Sequence, residues 1–154
     1  IARRVVRMAS EEIGNADPRA LTLCLNAWDV QERLGSPEGE LAVAQAIAYV
    51  AVAPKSNAVY NAYNAARALV AANPSNDVPL HLRNAPTKLM KNEGYGAEYH
   101  YAVAFVDGEN YFPVELRDTR LYEPVERGLE IRIADKLRTL RRKNAESNWK
   151  RYDD

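Results

Sequence analysis

The amino-acid sequence predicts an all-α fold, a helical bundle with at most one small β-hairpin or irregular excursion near residues 99–113. The first observation is an Ala-rich stretch, 41–72, that reads as two helical runs separated by Pro54. The second is a repeated helix-start signal, an N-cap residue followed by proline. The third is helical periodicity of the apolar residues near both ends of the chain. The predicted helices are 1–13, Pro18 to Gly35, Pro37 to Ala53, 57–72, a short helix from Pro86, and one from about Leu129 to beyond Arg142.

The run from Leu41 to Ala53 is apolar on all sides of the helix. Only Gln45 and the hydroxyl of Tyr49 interrupt it. Such a helix is normally buried between others, so we expect residues 41–72 to form a buried core hairpin. The run is too short to cross a bilayer, which takes about 20 apolar residues.

The second run, 57–72, carries polar and aromatic residues along one side. We predict a subunit interface there, because tyrosine buries a large area and still hydrogen-bonds. The turn before it supports two interpretations: a capped interhelical turn in which Ser56 is the N-cap, or a polar contact with a partner or nucleic acid. The candidate interface residues are Tyr60, Tyr63, Asn64 and Arg67, and the candidate contacts in the turn are Lys55 and Asn57.

The first helices have clear boundary signals. Gly14 ends the amphipathic helix 1–13, because glycine adopts positive φ without a steric penalty. Asp17-Pro18 starts the second helix, and Gly35 ends it. Short connections of this kind predict antiparallel neighbours.

The middle of the chain is rich in turn formers and prolines. From residue 78 to 91 its charged side chains are basic, if His81 is counted, and the candidate nucleic-acid or partner contacts are His81, Arg83, Lys88, Lys91 and Tyr95. Between Tyr99 and Phe112 a hairpin turning at Asp107-Gly108 and an irregular aromatic excursion are both open.

The last helix is strongly basic towards its C-terminal end. Arg141, Arg142 and Lys143 are candidate DNA contacts, although basic residues also suit a helix C-terminus because of its dipole. The main domain is therefore predicted over 1–144, followed by a basic and polar tail over 145–154, for which disorder is one interpretation.

Composition and motifs exclude several classes of site. With 21 basic and 21 acidic residues the formal charge is zero, so an overall attraction for DNA is lacking. Cys24 is the single cysteine, which excludes an internal disulfide; we expect it to be a buried, inert thiol.

No phosphate loop, G-x-S-x-G elbow or HExxH pair is present, and we predict no catalytic residues, metal or cofactor for this chain. Because the chain opens without methionine, we expect a fragment of a longer protein.

Several longer sequence motifs occur in a recognisable order. They are SEEIGNADP at 10–18, APKSNA at 53–58, HLRNAP at 81–86 with LMK at 89–91, GYG at 94–96 and ENYFP at 109–113. Together they resemble the C-terminal domain of the replication-associated recombination protein A (RarA/MgsA) family. These bacterial AAA+ ATPases are related to the Werner-helicase-interacting protein and to clamp loaders. The resemblance extends from residue 1 to about residue 140.

The resemblance implies a helical collar, like that of clamp loaders, which joins subunits as a homotetramer. It places ATP, magnesium and the ATPase site in the parent protein upstream of this chain. It further implies a cytoplasmic, nucleoid-associated parent that acts on DNA forks, ends and single-stranded gaps in replication, recombination and repair, with single-strand-binding protein as a partner and no membrane. One departure is a loop after Ala102 that is shorter than in most of the family, so any function of that loop is in doubt.

Three functions remain open at this stage. The first is self-assembly, and the second is a DNA- or protein-binding helical module without a role in assembly. The third is a small enzyme using His81, Arg83 and Lys88, for which a pocket joining His81, Cys24 and a carboxylate is required. The same residues are explained equally well as a structural boundary between a loop and the helix that follows it.

Overall fold

The all-α prediction is confirmed in a computed structural model, which describes residues 1–73, 75–100 and 106–152. Within those residues there are six α-helices and no strand. The α-helices are α1 Ala2–Met8, α2 Arg19–Leu34, α3 Glu38–Val52, α4 Ala58–Ala72, α5 Lys88–Asn92 and α6 Glu130–Glu146. A π-helical turn, Ala9–Ile13, continues α1, and short 3-10 turns occupy Gly14–Ala16, Leu80–Leu82 and Val114–Leu116.

The chain divides into two units. The first comprises Ile1–Ala68 and Leu121–Asp135, and the second comprises Leu69–Arg120 with the described residues from Lys136 onward. Helices α1 to α3 belong to the first unit, and α5 belongs to the second.

The core of the first unit lies where α1, the π-helical turn, α2 and α3 meet. On α2 the buried residues fall at helical spacing and are small, which lets neighbouring helices approach closely. Cys24 is among them and is 2 % exposed, in agreement with the predicted buried thiol. The buried core residues are Val5, Ala9, Ile13, Ala20, Cys24, Ala27, Ala46, Val50 and Ala53.

The predicted helix ends in this unit are confirmed, but the predicted N-caps of α2 and α3 are wrong. The N-cap positions there are Pro18 and Pro37, without a side-chain capping hydrogen bond. Gly14 has φ +51° directly after the π-helical turn, and Gly35 follows α2 with φ +69°. The amide of Ala58 donates to the hydroxyl of Ser56 at 3.2 Å, so Ser56 caps α4 as expected. The amide of Ser56 itself donates to the carbonyl of Glu12 at 2.7 Å, which joins the α3–α4 turn to the π-helical turn.

The segment that returns to the first unit is held by a buried carboxylate. Glu130, at the start of α6, is 0 % exposed. It accepts hydrogen bonds from the hydroxyl of Tyr122 at 3.0 Å and from the amide of Val125 at 2.7 Å. The hydroxyl of Tyr122 also accepts from the side-chain amide of Asn15 at 3.3 Å. Polar groups at this depth are stabilising only when they are paired, as these are.

The second unit is mostly irregular over its described residues. Helix α5 is capped by the hydroxyl of Thr87, which accepts from the amide of Met90 at 3.2 Å. The predicted turn at Asp107-Gly108 is present, but no strand flanks it in residues 99–100 or 106–113. The rest of the proposed hairpin, including Ala102 and the shortened loop, lies outside the described residues.

The prediction that α3 is buried on several sides is wrong for the single chain. Its buried residues are Gly39, Ala46 and Val50, and the opposite side of the helix is exposed. The apolar residues on all sides of α3 predicted that other helices of the same chain surround it. In the structure, the other helices of this unit cover only one side of α3.

Candidate functional site

An exposed apolar stripe runs along α3, and we call it the α3 stripe. Leu41 and Val52 are 75 % and 84 % exposed, and Ile47 is exposed between them. No charged residue occurs between Glu40 and Lys55. A contiguous apolar surface of this kind marks an interaction site more often than an isolated exposed side chain does. The α3 stripe comprises Leu41, Ala44, Ile47, Ala48, Ala51 and Val52.

The four predicted interface residues lie on one side of α4, and we call them the α4 face. Tyr60 and Tyr63 are 50 % and 62 % exposed, and Asn64 and Arg67 are also exposed. Their positions are three, four and seven residues apart, so a helix brings them together. The guanidinium carbon of Arg67 lies 5.8 Å from the ring centre of Tyr63. Ala58, at its first turn, is the one buried residue of this helix.

The turn before α4 is stabilised from within the chain. The ammonium of Lys55 donates to the carbonyl of Ala53 at 2.9 Å and also to that of Val50, where α3 ends. This position satisfies carbonyls that the helix itself leaves open. Asn57 is exposed beside it. The geometry supports the capped-turn interpretation of Lys55 and Ser56.

In the second unit a buried carboxylate lies at the centre of a charged cluster. The guanidinium of Arg151 donates to both oxygens of Glu109 at 2.7 Å. The ring nitrogen Nδ1 of His100 is 3.4 Å from one of these oxygens, and Nε2 of His81 is 3.8 Å from the other. Burial raises the pKa of Glu109, but the hydrogen bonds and charge of Arg151 outweigh it and leave that pKa below its usual value. The carboxylate is thus held ionised.

His81, one of the predicted contacts, is buried within this cluster. Its Nε2 is 3.1 Å from the carbonyl of Asn110. Burial, and then the charge of Arg151, lower the pKa of His81 despite the opposing charge of Glu109. The imidazole is therefore a neutral structural group.

Arg83 and Tyr95, two of the predicted contact residues, lie next to each other. The guanidinium carbon lies 5.4 Å from the centre of the tyrosine ring. The same guanidinium donates to the carbonyl of Val78 at 2.6 Å and lies 3.2 Å from the carboxylate of Asp77. Its donors are engaged inside the chain.

The remaining basic candidates lie on helices. Lys88 and Lys91 are exposed on α5, and Arg142 and Lys143 are exposed near the end of α6, where Arg141 is half-buried. The three residues of α6 occupy its last two turns and suit the dipole there.

The thiol that the enzyme interpretation requires is buried. Cys24 lies in the core of the first unit, where burial raises its thiol pKa and disfavours the reactive thiolate. Across residues 1–73, 75–100 and 106–152, no group of three or more His, Cys, Asp or Glu side chains is arranged to hold a metal ion. None of the helices in this part of the chain is long and apolar enough to cross a membrane.

Two features that shape these surfaces are not predicted from the sequence. One is the pair of Glu109 and Arg151, which are 42 residues apart. The tail in which Arg151 lies was predicted from composition alone; in the structure its backbone amide donates to the carbonyl of Gly108 at 2.9 Å, and the hydroxyl of Tyr152 donates to the carbonyl of Phe112 at 2.7 Å. The other is the exposure of one side of α3, which the apolar sequence of this helix does not reveal.

Comparison with known proteins identifies the family of this chain. The family described as MgsA AAA+ ATPase C terminal matches residues 1–141. A replication-associated recombination protein A from Haemophilus influenzae is 55 % identical over 99 % of this chain and 35 % of its own length. One from Coxiella burnetii is 58 % identical over 94 % of this chain and 34 % of its own length.

A more distant relative is ATPase WRNIP1 from Dictyostelium discoideum, which is 42 % identical over 80 % of this chain and 14 % of its own length. The chain spans about a third of the length of the two bacterial relatives that it matches. With nine-tenths of its residues inside the matched region, this chain belongs to the family of MgsA AAA+ ATPase C-terminal domains.

Proposed function

We propose that this domain joins copies of its AAA+ ATPase to one another through the α3 stripe and the α4 face. The single observation that supports this most is the exposure of Leu41 and Val52 on a helix without charges beyond Glu40. Burial of a Leu or Val side chain is worth roughly 1.5–3 kcal/mol, so covering the stripe provides a substantial driving force.

The α4 face supplies what an interface needs besides apolar area. Tyrosine and arginine are enriched among the residues that dominate binding energy, because they combine a large contact area with hydrogen bonding. Tyr60, Tyr63 and Arg67 provide these groups, and Asn64 provides a donor and an acceptor between them. A stable interface of about 1,000 Å² or more requires surfaces of this combined kind.

The test is light scattering on the 154-residue chain after size-exclusion chromatography. A monomer has a mass of 17.3 kDa, and four copies give about 69 kDa. We expect Leu41→Glu and Tyr63→Asp each to shift the mass towards the monomer, since both place a charge in the contact. Leu89→Glu, at an exposed leucine of α5, is the matched control and leaves the mass unchanged. A wild-type monomer at tens of micromolar contradicts the proposal.

The parent protein's chemistry is proposed for segments outside this chain. On this proposal ATP and magnesium bind to those segments. The assembled copies of this domain form a collar that sets the spacing between the ATPase modules. The proposed partners of the parent are DNA forks, ends and single-stranded gaps, together with single-strand-binding protein. The relatives are named for replication-associated recombination, which supports this assignment.

Contact with nucleic acid through α6 is the second candidate function. From Lys136 to Lys143 this helix carries five basic residues and no acidic one. Phosphate contacts by such residues give weak binding that is sensitive to salt and indifferent to sequence.

Fluorescence anisotropy with forked and single-stranded oligonucleotides tests this candidate. We expect Arg142→Gln together with Lys143→Gln to weaken binding and to reduce the dependence on salt concentration by about one to two contacts. Lys88→Gln with Lys91→Gln, an equal charge change on α5, distinguishes α6 from a general effect of charge. Unchanged binding in the α6 variant, or no binding at low salt, removes the candidate.

A further inference from the structure

A groove in the second unit has an apolar floor and an acidic rim. Its volume is about 570 Å³, within the range of about 300–1,000 Å³ typical of ligand sites. Val78, Leu80, Pro113 and Val114 contribute apolar surface to the floor. Val78 is 57 % exposed there, so its side chain is available to a ligand.

The two guanidiniums of the groove are committed within the chain. Arg83 donates to the carbonyl of Val78 and pairs with Asp77 on the rim. Arg151 has a side chain that is 7 % exposed; it donates to both oxygens of Glu109 and to the carbonyl of Glu98. Neither guanidinium has its main donors directed at a ligand.

Carboxylates, in contrast, outnumber the guanidiniums around the groove, and Asp77, Glu98 and Glu115 are exposed to solvent. Asp77 balances Arg83, and the buried Glu109 balances Arg151. The carboxylate of Glu98 lies 3.7 Å from the guanidinium of Arg151, whose charge Glu109 already balances, and the side chain of Glu98 is 75 % exposed. Together with the exposed Glu115 it adds two further negative charges to the lining. His81 is neutral because burial, followed by the charge of Arg151, lowers its pKa. The groove therefore repels anions and attracts cations.

We propose that this groove binds an extended peptide segment of a partner protein, in which an apolar side chain lies next to lysine or arginine. The apolar side chain packs on Val78 and Val114, and the cationic side chain reaches Glu98 and Glu115. Charge complementarity of this kind excludes the phosphate backbone of nucleic acid and favours a basic segment. The groove is a site of its own, separate from the α3 stripe and the α4 face by its residues and by its chemistry.

The probe is a fluorescein-labelled, C-terminally amidated peptide of sequence Gly-Leu-Pro-Arg-Leu-Gly, with a control peptide in which Glu replaces Arg. Anisotropy with the 154-residue chain should show at least about tenfold tighter binding of the basic peptide. Raising the salt concentration weakens that binding, because exposed charges are screened.

Variants of the rim locate the effect. Glu98→Gln with Glu115→Gln should weaken binding of the basic peptide about three- to tenfold, since each exposed ion pair contributes up to about 1 kcal/mol. Asp118→Asn with Glu126→Gln removes the same charge outside the groove and leaves binding unchanged. Circular dichroism verifies that both variants keep their helical content.

Four results overturn the proposal. The first is equal or tighter binding of the acidic peptide, and the second is the absence of binding of the basic peptide at millimolar concentration. The third is an unaltered affinity in the rim variant. The fourth is displacement of the peptide by a twenty-nucleotide oligothymidine, which assigns the groove to nucleic acid.

Discussion

Arg151 binds both carboxylate oxygens of Glu109 at 2.7 Å, and the side chains of the two residues are only 7 % and 3 % exposed. A planar guanidinium matches a carboxylate in this two-bond arrangement, which is stronger and more directional than a single hydrogen bond. The pair attaches residues 149–152 to the loop that contains Gly108 and Asn110.

Arg151→Met should destabilise the protein by about 3–5 kcal/mol, because Glu109 is then left buried without a cation. Glu109→Gln combined with Arg151→Met should cost less than Arg151→Met alone, since the isolated charge is gone. Urea unfolding of the single and double variants measures this coupling. Arg142→Met, at an exposed arginine, is the control and should change stability by less than about 0.5 kcal/mol.

The second prediction concerns Asp17, which receives hydrogen bonds from Arg19 at 2.8 Å and from the hydroxyl of Tyr49 at 2.5 Å. The hydrogen bond from Arg19, helped by that from Tyr49 and opposed by burial, lowers the pKa of Asp17 from 3.8 to about 2. Because the folded pKa lies below the unfolded one, this stabilisation is complete above pH 3.8 and is lost as the pH falls towards about 2.

Asp17→Asn should therefore remove part of the pH dependence of the free energy of unfolding in that window. Tyr49→Phe should lower stability at neutral pH through loss of its hydrogen bond to Asp17. Arg19→Gln should also reduce this pH dependence, although solvent limits the size of the effect because Arg19 is mostly exposed. A pH profile of Asp17→Asn identical with that of the wild type would falsify this account.

The third prediction concerns Glu130, the buried carboxylate that opens α6. Glu130→Ala removes the acceptor of the Val125 amide and of the Tyr122 hydroxyl, and should destabilise the protein by about 2–4 kcal/mol. Thermal or urea unfolding measures the loss. Glu126→Ala, an exposed glutamate in the same segment, should change little, and a similar loss in both variants points instead to a general effect of charge.

The fourth prediction concerns the thiol of Cys24. Burial raises its pKa and restricts access, so the folded protein should react slowly with a thiol-specific reagent and rapidly in urea. Cys24→Ser should also lower stability by about 1–3 kcal/mol, since a hydroxyl replaces an apolar group in the core. Fast stoichiometric reaction of the native protein is the contrary result.

Local signals in the sequence predicted local structure well. The glycines at 14 and 35 end helical segments, and Ser56 caps α4, because these outcomes depend on the backbone preferences and hydrogen bonds of adjacent residues. Helical spacing alone predicted that Tyr60 and Arg67 lie on the same side of α4.

Contacts between residues that are far apart in the sequence could not be predicted in this way. The pairing of Glu109 with Arg151, and that of Tyr122 with Asn15, depend on how separate segments meet. The apolar pattern of α3 showed that the helix requires cover, but it did not show that this cover is incomplete within the chain. Hydrophobic periodicity identifies a surface to be buried and leaves the identity of its neighbour open.

The absence of charge from the α3 stripe also has a calorimetric consequence. Whatever covers Leu41, Ile47 and Val52 removes mainly hydrocarbon from water, so association should carry a negative heat-capacity change. Near room temperature it should strengthen on warming and with sulfate. Isothermal titration by dilution at several temperatures, from about 10 to 35 °C, records that signature.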